Sequence, residues 1–127
     1  MIMILNLTQH PATPEQIAQG VVDLPADERA TLIDRLTVDT LPTKAEIEAR
    51  CADIAMLAAT AFDAHPVQAM IGGAPWMMSA LENALIDQGI QPVYAFSVRE
   101  SVEQPQPDGS VRKVNVFRHV GFVQPNS

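Results

Sequence analysis

Ile2-Met3-Ile4-Leu5-Asn6-Leu7-Thr8-Gln9-His10-Pro11-Ala12-Thr13-Pro14-Glu15-Gln16 is the stretch that decides the fold. Ile2 to Leu7 is a short apolar run ended by the turn residues Thr8-Gln9-His10-Pro11, which reads as a buried strand. Thr13 then stands where a helix N-cap belongs, Pro14 takes the first helical position, and Gln16 completes a capping-box pattern. A buried strand passing into a capped helix within a few residues opens a β-α unit.

The alternation continues along the chain. The first helix runs to about Gln19, Gly20 stops it, and Val21 to Leu24 forms a second short strand before Pro25. From Ala26 to Leu36 the apolar residues Leu32, Ile33 and Leu36 share one helical face. Thr43 caps a long helix with Glu46 in the capping-box position, and Ile47, Cys51, Ile54, Ala55, Ala58 and Phe62 carry its buried stripe to about Ala64. His65-Pro66 ends that helix, and Val67 to Ile71 is the next strand. The turn Gly72-Gly73-Ala74-Pro75 opens a helix to about Gln88, with Met78, Leu81, Leu85 and Ile86 as apolar positions and Gly89 as its stop. Pro92 to Val102 and Val111 to Val123 alternate on either side of a Pro-Asp-Gly turn, forming a long hairpin followed by a tail from Gln124. The succession predicts an α/β fold, a three-layer Rossmann-like mostly parallel sheet of order about 2-1-3-4-5 with a C-terminal antiparallel β-hairpin.

With 127 residues, 47% hydrophobic and 18% charged, the chain suffices for one domain over residues 1 to 127. Cys51 is the single cysteine, so an internal disulfide framework is excluded; it reads as a buried small hydrophobe in a reducing, cytoplasmic setting. The N-terminal run has no basic flank and no small-residue cleavage site, and is expected to be a strand and not a signal peptide. No apolar run approaches the roughly 20 residues of a bilayer span, so no membrane partner is expected.

The net charge of −7 argues against general DNA or RNA binding through phosphate neutralisation. Its distribution is uneven: residues 1 to 90 carry 12 acids and 4 bases, whereas Arg99, Arg112, Lys113 and Arg118 outnumber Glu100, Glu103 and Asp108 in the remainder. No His, Cys, Asp or Glu cluster has metal-ligand spacing, and no Gly-x-Ser-x-Gly elbow, dinucleotide fingerprint or Walker loop occurs, so neither a metal nor a cofactor is expected.

In a sheet of this order, ligands bind beyond the carboxyl ends of the first and third strands. That rule selects two loops, His10 to Thr13 and Gly72 to Trp76. Gly72, Gly73 and Ala74 offer close backbone approach and free N–H groups to an anion, or else form a plain strand-to-helix turn. Thr8, Gln9 and His10 offer a hydroxyl, an amide and an imidazole for a ribose, a phosphate or a proton, or else serve the turn. On the hairpin, Val93, Ala95, Ser97 and Arg99 share one face, and in the second arm so do Asn115, Phe117, His119 and Gly121. Ser97 and Arg99 sit where Arg99 could clamp a phosphate or pair with Glu100 or Glu103. Arg118 and His119 form a second cationic pair, but neighbours on a strand face opposite sides, so one of them is structural. Trp76 and the two methionines after it could place an aromatic on a base, with core packing the commoner role for such a run.

Three segments resemble the small CRISPR-associated ring nucleases with a CARF-type domain. They are His10-Pro11-Ala12-Thr13-Pro14-Glu15-Gln16, then Gly89-Ile90-Gln91-Pro92-Val93-Tyr94-Ala95 leading to Ser97-Val98-Arg99, and Asp108-Gly109-Ser110-Val111-Arg112-Lys113 through Val116-Phe117-Arg118-His119-Val120. Together they cover about a third of the chain, while residues 26 to 66 match no motif of that family. The resemblance implies a homodimer that binds cyclic oligoadenylate across its two-fold axis and, in active members, opens the ring without a metal in antiviral defence. It implies Arg99 on the phosphate, His10 in proton transfer or on a ribose, and the Gly72-Gly73 amides on a neighbouring phosphate. It fits recognition of the ligand more closely than cleavage, so a non-catalytic protein that sequesters the ligand, or an interaction subunit, is the alternative expectation.

Overall fold

In a computed structural model the described residues are 2–125. Three very short strands form the parallel part of the sheet: β1 (Ile4–Asn6), β2 (Val21–Asp23) and β3 (Gln68–Met70). The much longer β4 (Gln91–Pro105) and β5 (Val111–Val123) complete it. The order is β2-β1-β3-β4-β5, with β1, β2, β3 and the start of β4 parallel and β4–β5 antiparallel. The predicted fold class and strand order are therefore observed.

The helices are α1 (Pro14–Ala18), α2 (Ala26–Leu36), α3 (Lys44–Thr60) and α4 (Pro75–Asp87). At α1 the predicted capping box is complete: Thr13 accepts from the Gln16 amide at 3.2 Å while the Gln16 side chain accepts from the Thr13 amide at 3.0 Å. At α3 only half of it forms, because Thr43 accepts from the Glu46 amide at 3.1 Å but the Glu46 carboxylate meets the Thr43 hydroxyl instead of its backbone. This helix stops at Thr60, short of the expected Ala64, and residues 61–64 form bends leading to Pro66. The strands β1, β2 and β3 are each shorter than their apolar runs: Leu7, Leu24 and Ile71 stay buried just past the strand ends, whereas Ile2 and Val67 at the starts of the runs are exposed.

The main core fills the space between one face of the sheet and α2, α3 and α4. Leu5, Leu7, Ala69 and Ile71 meet Leu32, Ile54, Met77, Leu81 and Leu85 there, all essentially inaccessible. Right-handed crossovers put α1 on the opposite face, because β1 to β2 runs one way along the sheet and β2 to β3 to β4 the other. That second face has a small cluster of Ile4, Val21, Met70 and Val93, edged by Ala12 and Phe122. Cys51 is buried as expected, and desolvation pushes its thiol up to about 11. Among the described residues no helix is long and apolar enough to cross a membrane.

The hairpin departs from simple alternation at one point. Ala95 pairs with Phe122 and Phe96 with Gly121, but Ser97 pairs with His119, so β5 carries one extra residue, Val120. Gly121 is therefore not on the His119 face, contrary to the expectation from uninterrupted alternation. The register past the bulge sets Arg99 directly opposite Phe117 and Val98 opposite Arg118.

Candidate functional site

At the carboxyl ends of β1 and β3 lies a cleft of about 340 Å³. The loop after β1 supplies Thr8 to Pro11 together with Thr13 and Gln16; the end of β3 supplies Met70, Ile71, Gly72 and Gly73; Ala95 of β4 forms the far wall. The two loops selected by the strand-order rule thus meet in one depression.

The first loop is built on Asn6, the one buried polar residue among those described. Its Nδ2 donates to the His10 carbonyl and to Asp23 Oδ1, both at 2.8 Å. Its Oδ1 accepts from the Thr8 amide at 2.9 Å and from the Thr8 hydroxyl at 2.8 Å. All four hydrogen-bonding positions of the amide are filled. Asp23 Oδ1 also accepts from the Ala12 amide at 3.0 Å, so β2 helps to hold the loop from β1. On the outer side, Arg29 of α2 donates from Nη2 to the Gln9 carbonyl at 3.1 Å, while its Nη1 is buried without a partner. Asn6, Asp23 and Arg29 escaped the sequence reading. The available signal was Asn6 itself, a lone amide in an otherwise apolar strand.

Thr8 is therefore a scaffold residue whose hydroxyl points into the loop, and His10 presents its ring outward. The His10 imidazole has no hydrogen-bond partner among the described residues. On the other side of the cleft, the N–H groups of Gly72, Gly73 and Ala74 donate to no other described residue, and they lead into the start of α4. Gly73 adopts φ +148°, a conformation that side chains disfavour, and Gly72 comes so close to Thr8 that an added Cβ would lie 3.6 Å from its Cγ2.

The remaining predicted residues separate into groups. Ser97 and Arg99 lie on the Ala95 face of β4 but past the cleft, about 7 and 13 Å along the strand at its ordinary rise. Arg99 pairs with neither Glu100 nor Glu103: Glu100 is engaged by Arg118 across the hairpin at 3.1 Å. Arg118 is thus in an ion pair on the opposite face. His119 sits at the base of the hairpin, its Nε2 2.9 Å from Gln19 Oε1 of the α1 cap and its ring edge-on to Phe122. Ala74 packs against the main core. Trp76 is half exposed and faces a separate groove between α3 and α4, where Ile47, Ala80 and Ala84 also lie. The run after it does pack as expected, since Met77 and Met78 are buried, but Trp76 joins neither the core nor the cleft. The α3–α4 groove is larger, at about 620 Å³. It lies along helix flanks away from the strand ends, and the free backbone amides and the imidazole are at the smaller cleft.

The chain belongs to the family described as "Uncharacterized protein MJ1673 family", whose profile matches residues 2–123. No curated protein and no solved structure matches it.

Proposed function

We propose that this member of the MJ1673 family binds cyclic oligoadenylate at the cleft between His10 and Gly72-Gly73 and opens the ring without a metal. The observation that carries this reading is a convergence. Two of the three segments that resemble ring nucleases are far apart in sequence, and residues of both, His10, Pro11, Thr13 and Gln16 from one and Ala95 from the other, line the same cleft. The third segment is the strand paired with the second. The free N–H groups of Gly72 and Gly73 suit a phosphate, and the exposed His10 ring suits a ribose or a proton.

In the reaction so inferred, an adenosine 2′-oxygen attacks its own 3′-phosphorus and the bond to the 5′-oxygen of the next nucleotide breaks. The 2′-hydroxyl loses its proton and the leaving 5′-oxygen gains one, giving a 2′,3′-cyclic phosphate and a 5′-hydroxyl. The chain contributes position and charge: the glycine amides hold the phosphate in line, Arg99 offsets its developing charge, and His10 carries a proton or fixes the ribose. The functional unit in this reading is a cytoplasmic homodimer that lowers the level of a CRISPR-linked defence signal.

A second reading, sequestration without cleavage, is favoured by one feature. Among the described residues no carboxylate or carbonyl orients the His10 imidazole, whereas an acid–base histidine is ordinarily held by a third group. Incubation with cyclic tri-, tetra- and hexa-adenylate in the presence of EDTA, followed by chromatography, separates the readings. Linear products ending in 2′,3′-cyclic phosphate support cleavage; retention of an intact ring supports sequestration; absence of both removes the ligand from the account.

A further inference from the structure

We propose that the β4–β5 hairpin is an arm exchanged between two copies of the chain, and that Arg99 and Phe117 complete the cleft of the partner and not that of their own protomer. The proposal rests on the cyclic oligoadenylate reading for the ligand, although the exchange itself has an independent test.

Three observations carry it. First, β3 pairs with β4 only as far as Val93, so residues 94–105 with their β5 partners extend past the sheet by about 40 Å at the usual strand rise. The side chains of residues 98–118 make hydrogen bonds and ion pairs only with one another among the described residues. A two-stranded ribbon of this length is marginal in water without a surface to cover it. Both faces also leave apolar side chains without a cover: Val98, Val102, Val114 and Val116 surround the Glu100–Arg118 ion pair on one, and Phe117 on the other is 76% exposed.

Second, the cleft lacks what its ligand requires. None of the residues lining it is Arg or Lys. None of the four bases of the body lines it: Arg29 holds the Gln9 carbonyl from the outer side of the loop, Arg35 is paired with Asp34 and Asp53, Lys44 with Glu48, and Arg50 lies on the carbonyls closing α2. Arg99, Arg112 and Lys113 on the arm have no side-chain partner among the described residues. An arm that carries these free cations is complementary to a body in which residues 1 to 90 hold 12 acids against 4 bases.

Third, the geometry excludes the same-chain solution. Arg99 stands about 13 Å beyond Ala95, the last arm residue in the cleft wall, and β4 runs on from there as a continuous strand. At about 340 Å³ the cleft is at the small end for a drug-sized ligand, so it holds a single nucleotide unit and leaves the rest of a ring outside. A two-fold arrangement returns the Ala95 face of each arm over the other copy's cleft. There Phe117 offers a stacking surface for a base, and the Arg99 guanidinium directly across from it meets the phosphate.

The test uses two preparations of the full chain, one ¹⁵N-labelled, mixed and carrying a benzophenone amino acid at position 117. Irradiation followed by mass spectrometry is expected to join position 117 of one isotope to residues 8–16 or 70–73 of the other; links confined to single chains, or a protein that sediments as a monomer, would overturn the exchange. Arg99→Ala and Gly72→Leu are the functional pair, the second filling the cleft at a position without backbone strain. Each alone is expected to lose at least tenfold in cyclic tetra-adenylate turnover. Mixed one to one, they recover about a quarter of wild-type turnover, because half of randomly formed dimers regain one intact site. Failure to recover, with both variants melting as wild type does, places Arg99 in its own site and overturns the proposal. If the wild type does not turn over the ring, the proposed function fails while the cross-link pattern still decides the exchange.

Discussion

Asn6 and Asp23 are bonded side chain to side chain at 2.8 Å across the parallel pair β1–β2, and between them they hold the backbone at Thr8, His10 and Ala12. The shape of the cleft depends on this buried contact beneath it. Asn6→Ala removes a fully buried amide and leaves the Asp23 carboxylate and the His10 carbonyl short of a donor, at a cost of about 2–4 kcal/mol. Denaturant unfolding reads the loss. Asn6→Asp is expected to be at least as damaging, since it sets a second carboxylate against Asp23.

Gly72 and Gly73 are expected to respond differently to alanine. At Gly72 the added Cβ meets Thr8 Cγ2 at an ordinary 3.6 Å and no positive φ is involved, so Gly72→Ala keeps its thermal midpoint while ligand affinity falls as the cleft narrows. At Gly73 the φ of +148° makes alanine strained, and Gly73→Ala loses about 1–2 kcal/mol of stability. Parallel thermal melts and binding titrations of the two variants distinguish them.

Tyr94 is the one tyrosine of the chain, which makes its ionisation directly readable by ultraviolet difference spectroscopy. Desolvation, then its hydrogen bond to Glu82 at 2.6 Å, raises its pKa well above the ordinary phenol range. The folded protein is expected to show no phenolate step near pH 10, and the signal is expected only as the protein unfolds. A normal titration would place Tyr94 in solvent.

The Cys51 thiol, pushed up to about 11 by burial, links stability to alkaline pH. The folded state keeps its proton while the unfolded chain releases it near the ordinary value of 9, so this contribution is complete below pH 9 and is lost as pH rises from 9 towards 11. Stability curves of the wild type and Cys51→Ala should converge over that window. Labelling by a thiol reagent at pH 8 is expected to track global unfolding.

Much of this architecture was legible because it is written in local signals. Thr13, Pro14 and Gln16 announce α1, Gly89 ends α4 with φ +74°, and the strand order follows from the direction of the crossovers. The positions of His10 and Gly72 at one cleft followed from that order alone. What lay beyond local signals were pairings across the chain. The Val120 bulge reverses the face of Gly121, and Arg118 takes Glu100 from Arg99. Trp76 turns toward the α3 flank because Met77 and Met78, one step further round α4, occupy the core positions. Asn6 was hidden for a similar reason: a polar residue in a buried strand declares its partners only when Asp23 arrives beside it.

Arg99→Ala tests the arm without touching the fold, since the guanidinium has no partner among the described residues. Its unfolding free energy is expected within about 0.5 kcal/mol of wild type, as for other surface substitutions. Cyclic oligoadenylate affinity should fall about tenfold or more with the loss of a charge-assisted contact. Unchanged affinity and turnover would remove the phosphate clamp. For His10→Ala, reduced turnover with intact affinity assigns the imidazole to proton transfer, and a parallel loss of both assigns it to binding.

The central claim is that the cleft under the Asn6–Asp23 contact is the cyclic oligoadenylate site. Amide hydrogen exchange of the protein with and without cyclic tetra-adenylate addresses it most directly. The account predicts slowed exchange at residues 8–16 and 71–74 and along the arm around 97–99 and 117–119, with the α3–α4 groove at Trp76 unaffected. Protection confined to that groove, or no change anywhere at saturating ligand, would contradict it.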